Sequence, residues 1–184
     1  LFRSRGVGLW TSAEARIRAA SPSLLAGRIV NAADQPLIAT HATKGKARYR
    51  YYVSRDLHHG ATPQGLRIPA REIERLVWDR TRRLLSDPIE LIATAWLEVR
   101  PDAITDLHER CAAAAARMGA ERRAIAQALI EQVKVTDERI DIIFRTGGIS
   151  SVLETRCHAD APATITHSVE ARVARAGRAV RLIH

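Results

Sequence analysis

The chain has 184 residues, 46% of them apolar, which suffices for one good-sized domain or two small ones with real cores and excludes a disordered chain. Its 29 Lys and Arg against 20 Asp and Glu give a net charge of +9, a balance that favours nucleic acid or another anionic surface as partner. There is no run of ~18 apolar residues to cross a bilayer, no apolar signal core, and only two cysteines, Cys111 and Cys157, without a Cys-x-x-Cys pair, so no membrane and a reduced, cytoplasmic setting are expected.

Residues 1–23 read as a linker or the end of a preceding domain, with Trp10 as the large anchor and a short helix from the N-cap Ser12 to Ala20, closed by Pro22. Leu25–Val30 and Leu37–Thr43 read as strands joined by the turn Asp34-Gln35-Pro36, and Ala47–Ser54 as a third strand after Lys44-Gly45-Lys46. From Gln35 to Arg55 there are five Lys or Arg and no acid, and arginines alternate with tyrosines. Period-2 alternation puts Arg48, Arg50 and Tyr52 on one face of the third strand and Tyr49, Tyr51 and Val53 on the other. The first face is expected to meet polyanions, because guanidinium forks suit phosphates bidentately and a tyrosine hydroxyl can bond sugar or phosphate. The second is expected to pack.

At Ile68 the period changes to 3.6. Pro69 opens a helix with Ile73, Leu76, Val77, Arg80, Leu84 and Leu85 along its inner stripe and Arg71, Arg75, Arg82 and Arg83 outside. Asp87-Pro88 ends it and caps a second helix, Ile89–Val99, and Pro101-Asp102 introduces a third, from Ala103 to about Val133, weakened at Gly119. Its stripe suits an intramolecular pair better than a coiled-coil arm. Period 2 then returns in a hairpin, Val133–Val135 and Arg139–Arg145, broken by Gly147-Gly148. Alternation resumes over 164–175 and after the Ala176-Gly177 turn. Arg172, Arg175, Arg178 and Arg181 form a second basic patch.

The order of periods gives an α+β fold: a β-ribbon over 24–68, helices over 69–133 and C-terminal hairpins over 134–184. No phosphate loop, nucleophile elbow or His-Glu-x-x-His occurs, so no enzyme is expected of this chain. His41, His58 and His59 lack cysteines or paired carboxylates at ligand spacing, so no metal or other cofactor is expected. Asp102 with Asp106, and Glu72 with Glu74, read as helix caps and surface charges; Cys111 reads as buried and inert, and Cys157 stays undecided.

Leu24-Leu25-Ala26-Gly27, Gln35-Pro36-Leu37, Thr40-His41-Ala42, the run Lys44–Ser54 and Ile68-Pro-Ala-Arg-Glu-Ile-Glu74 together resemble the DNA-binding region of large serine recombinases, the resolvase and invertase relatives that carry a recombinase zinc β-ribbon. The hairpin up to Phe144 and the ending Ala171–Leu182 are similar to that family's C-terminal part, so the resemblance runs from Leu24 to the end. It implies recognition of duplex recombination-site DNA, through Lys44, Lys46, Arg48, Arg50, Tyr52 and Arg55 first and Arg172, Arg175, Arg178 and Arg181 second. Homo-oligomerisation belongs to the full-length protein, where the helices offer a docking face. Two departures stand out. Asn31, Asp34 and Ser54 occupy positions where the family has zinc-binding cysteines, so Tyr49, Tyr51, Val53, Ile29 and Ile38 are expected to hold the ribbon without metal. The family's catalytic serine domain has no counterpart, so the chain is expected to be a fragment that binds DNA without cutting it. Two alternatives remain, a non-catalytic oligomerisation module and a decayed remnant.

Overall fold

The computed structural model describes residues 23–44, 47–60, 65–176 and 179–183. The expected helix from Ser12, and the basic residues Lys46 and Arg178, lie outside them. The fold is α+β. In chain order, β1 (Ile29–Asn31), β2 (Leu37–Lys44) and β3 (Ala47–Ser54) precede a one-turn α1 (Arg55–His58) and β4 (Arg67–Pro69). Then come α2 (Ala70–Leu85), α3 (Pro88–Ala95), β5 (Leu97–Glu98), α4 (Ile104–Arg117) and α5 (Arg122–Leu129). The rest comprises β6 (Ile130–Val135), β7 (Arg139–Arg145), α6 (Thr146–Val152), β8 (Arg156–Cys157), β9 (Thr164–Glu170), β10 (Arg172–Ala176) and β11 (Ala179–Ile183).

The largest sheet runs β1-β6-β7-β9. β7 pairs antiparallel with β6 and β9, and its alternate residues Ile140, Ile142 and Phe144 are fully buried. β1 pairs parallel with β6, Ile29 opposite Val133, so the expected ribbon unit and the expected C-terminal unit share a sheet. Arg28 fastens that pairing through guanidinium bonds to the carbonyls of Ile130 and Gln127. A single buried cluster extends from Leu25 through α2–α5 to Ala171. Each fully buried Leu or Ile in it contributes about 1.5–3 kcal/mol of transfer free energy, which is why the segments cohere.

α2 forms as its stripe requires, burying Ile73, Leu76, Val77, Leu84 and Leu85. Asp87 Oδ1 accepts from Glu90 N at 2.9 Å and Pro88 fills the first turn of α3, the capping read from the sequence. Two helices are shorter than expected. α3 stops at Ala95 because Trp96 turns left-handed (φ 49°) and Leu97 begins a strand. The single helix expected up to Val133 is two, parted at Met118–Glu121, with Glu121 N closing on the Arg117 carbonyl. An unbroken helix over that span would be about 45 Å long; with the break around Gly119, Leu107, Cys111 and Ala114 and then Ile125 and Leu129 are buried. Gly147-Gly148, expected as a breaker, sits inside α6. A Cβ on Gly148 would run into the Ala128 carbonyl, so glycine is what lets α6 lie against α5.

Candidate nucleic-acid interface

β2, β3 and β4 form a second, antiparallel sheet with β3 in the middle. Its register sets Arg48 opposite Thr43, Arg50 opposite His41 and Tyr52 opposite both Ala39 and Ile68. Residues 47–49 are exposed, Arg50 and Tyr51 half-buried, Tyr52 and Val53 buried. Exposure thus falls along β3 as it runs under α2, instead of alternating between faces.

The consequence is sharpest at Tyr52, which the sequence placed with Arg48 and Arg50 as a DNA contact. Its ring is fully buried. The hydroxyl accepts from Leu25 N at 2.9 Å and donates to Glu74 Oε1 at 2.8 Å, so it has nothing left for a phosphate. Burial first, and the Glu74 carboxylate second, hold this hydroxyl well above the usual tyrosine range. Glu74, expected as a surface charge, is 4% exposed and also accepts from Leu24 N at 2.8 Å. Arg50 completes the group with a 3.3 Å ion pair to Glu74 Oε2. The spacing Ala70, Ile73, Glu74, Val77, Thr81 could have revealed this, since it seats Glu74 in the buried stripe, where a carboxylate needs partners.

Arg50 is therefore only partly available, its side chain 38% exposed and tied to Glu74. Arg48 and Arg55 are exposed and, among the described residues, make no ion pair. The face expected to pack divides as well. Val53 is buried, Ile38 half-buried and Ile29 fully buried in the other sheet, whereas Tyr49 is 48% exposed. The half-buried Tyr51 carries the guanidinium of Arg67 over its ring at 4.2 Å.

The second basic patch lies on the β10–β11 hairpin, where Arg172 pairs with Ile183, Arg175 with Val180 and Arg181 with Ala174. β11 packs against β4 and α2. The two arginine-bearing segments, remote in sequence, thus both adjoin β4. Lys44, at the end of β2, pairs with Ala47 beside the β2–β3 turn.

At the turn after β1, Asn31 Oδ1 accepts from Ala33 N (3.0 Å) and Gln35 N (2.9 Å), and Asn31 Nδ2 donates to Gln35 Oε1. Asp34, left-handed at φ 58°, pairs with Lys134 Nζ at 2.8 Å, joining the turn to β6. Ser54 Oγ is buried with no hydrogen-bond partner among the described residues. No three His, Cys, Asp or Glu side chains among the described residues come together as a metal would require. Cys111 is buried, which raises its thiol pKa, while Cys157 is half-buried with Sγ 3.8 Å from the Thr146 carbonyl. No described helix is long and apolar enough to cross a membrane. Set against protein-family models, curated proteins and solved structures, the chain matches none of them.

Proposed function

We propose that this chain is the DNA-binding portion of a site-specific serine recombinase and that its partner is duplex recombination-site DNA. One observation carries the reading: β3 pairs with β4 and β11 packs against β4, so two arginine-rich segments remote in sequence come together at one strand. Arg48 and Arg55 supply the direct phosphate contacts on β3 and just after it. Arg50 contributes while held by Glu74, and Tyr52 serves from inside by fixing the strand. Such contacts set register on the duplex without reading sequence. Strand cleavage belongs to a catalytic serine domain outside these residues.

The test is binding of labelled duplex DNA across a salt series. Neutralising several phosphates makes log affinity fall linearly with log salt, by about 0.9 per phosphate. A steep slope supports the proposal, and a folded chain that does not bind at low salt sinks it.

One observation favours a second reading, an oligomerisation module. Ile89 on α3 is 62% exposed and Trp96 at its end is 47% exposed, large apolar surfaces that a monomer leaves wet. Under that reading sedimentation gives a concentration-dependent assembly that salt leaves nearly unchanged.

A further inference from the structure

The outer face of the β2-β3-β4 sheet opens toward the β2–β3 turn, where Tyr49 is exposed. Tyr49 and Tyr51 lie on it two residues apart, about 6.7 Å along the strand. That is roughly twice the 3.4 Å rise per nucleotide of one DNA strand, so the two positions suit two bases of one stretched strand. Tyr49 offers an open ring. Tyr51 offers a composite surface, because the guanidinium of the exposed Arg67 lies over its ring. Half-buried Ile38, Thr40 and Ala42 of β2 floor the face beside them. The three strands contain no Asp or Glu, and Arg67 brings a cation to this face.

We infer that this face is a stacking platform for unpaired nucleotide bases, with Tyr49 and the Arg67–Tyr51 pair each taking one base. The chemistry favours nucleic acid over a protein partner. An aromatic ring and a guanidinium plane stack on any base, while the absence of acids and the surplus of arginine suit the phosphates that come with it. Such a site engages single strands or bases turned out of a duplex, and it goes beyond the duplex-backbone reading because its contacts are to rings. Covering the far end of the face, where Val53 is buried, limits the platform to the portion near the turn.

The experiment is an anisotropy titration of the full chain with a labelled oligothymidylate and, separately, with a duplex of equal length. It uses the wild type, Tyr49→Ala and Tyr49→Phe, with circular dichroism on each. The platform predicts that the wild type binds the single strand and that Tyr49→Ala weakens this by about fivefold or more, the loss of one stacked base. Tyr49→Phe, which keeps the ring, retains the wild-type affinity, and duplex affinity stays the same in all three. No binding of the single strand, equal loss on both nucleic acids, or a Tyr49→Ala that binds like the wild type would each overturn it. The last result would return the face to a protein contact. Failure of the duplex alone removes the duplex proposal and leaves this one standing.

Discussion

The two halves of β3 carry the same pattern of basic and aromatic residues and meet different environments. At the turn-proximal half, Arg48 and Tyr49 face solvent; three residues on, Tyr52 is sealed beneath α2 and bonded to Glu74. Arg50 stands at the boundary, half-exposed and paired with the same carboxylate. Composition describes what a strand could contact, while the element that crosses it decides which residues can. Here α2 turns half of a basic and aromatic pattern into a support for the other half.

The largest expected effect comes from breaking the buried half. Glu74→Ala leaves the Tyr52 hydroxyl, Leu24 N and Arg50 without their acceptor. It should lower stability by about 2–4 kcal/mol in urea titrations, because removing one member of a buried polar group strands the rest. Tyr52→Phe removes less, leaving Leu25 N without its partner, and should cost about 1–2 kcal/mol. An unchanged midpoint in either variant would mean that Glu74 does not anchor the strand.

Alkaline pH sharpens the comparison. Tyr52 holds its proton more tightly folded than unfolded, so above the ordinary tyrosine value of about 10 the unfolded chain releases a proton that the folded chain keeps. Its contribution is complete below about pH 10 and declines as the pH rises further, by up to about 1.4 kcal/mol per pH unit. Urea midpoints above pH 10 should fall less steeply in Tyr52→Phe than in the wild type. Equal slopes would remove Tyr52 from the account.

The smallest stability effect belongs to the exposed half. Arg48→Gln should change stability by no more than about 0.5 kcal/mol, since the side chain is exposed and unpaired among the described residues. It should nevertheless lower the salt slope of duplex binding by about 1. The comparison fails if Arg48→Gln destabilises as much as Tyr52→Phe.

Local chemistry made some of this legible. β3 has the expected bounds, the Asp87–Pro88 cap is where the sequence put it, and the β6–β7 hairpin follows from alternation around Thr136-Asp137-Glu138. What could not be read depends on partners remote in sequence. Nothing near Ile29 announces a parallel pairing with Val133, and nothing near Asp34 announces Lys134, a hundred residues away. Period 2 separates the faces of β3 but not its ends, so by itself it assigns Tyr49 to packing and Tyr52 to DNA. Glu74 was the readable exception, a carboxylate at a buried helical position beside a strand with a tyrosine.

The most direct test of the central claim, that β3 and the β10–β11 hairpin form one duplex-binding surface, is the salt dependence of duplex affinity in four proteins. These are the wild type, Arg48→Gln/Arg55→Gln, Arg172→Gln/Arg175→Gln and the combination. The account predicts a fall in slope of about 2 for each pair and about 4 for both, with folding intact. A folded wild type without salt-dependent binding, or a slope that ignores either pair, would contradict it.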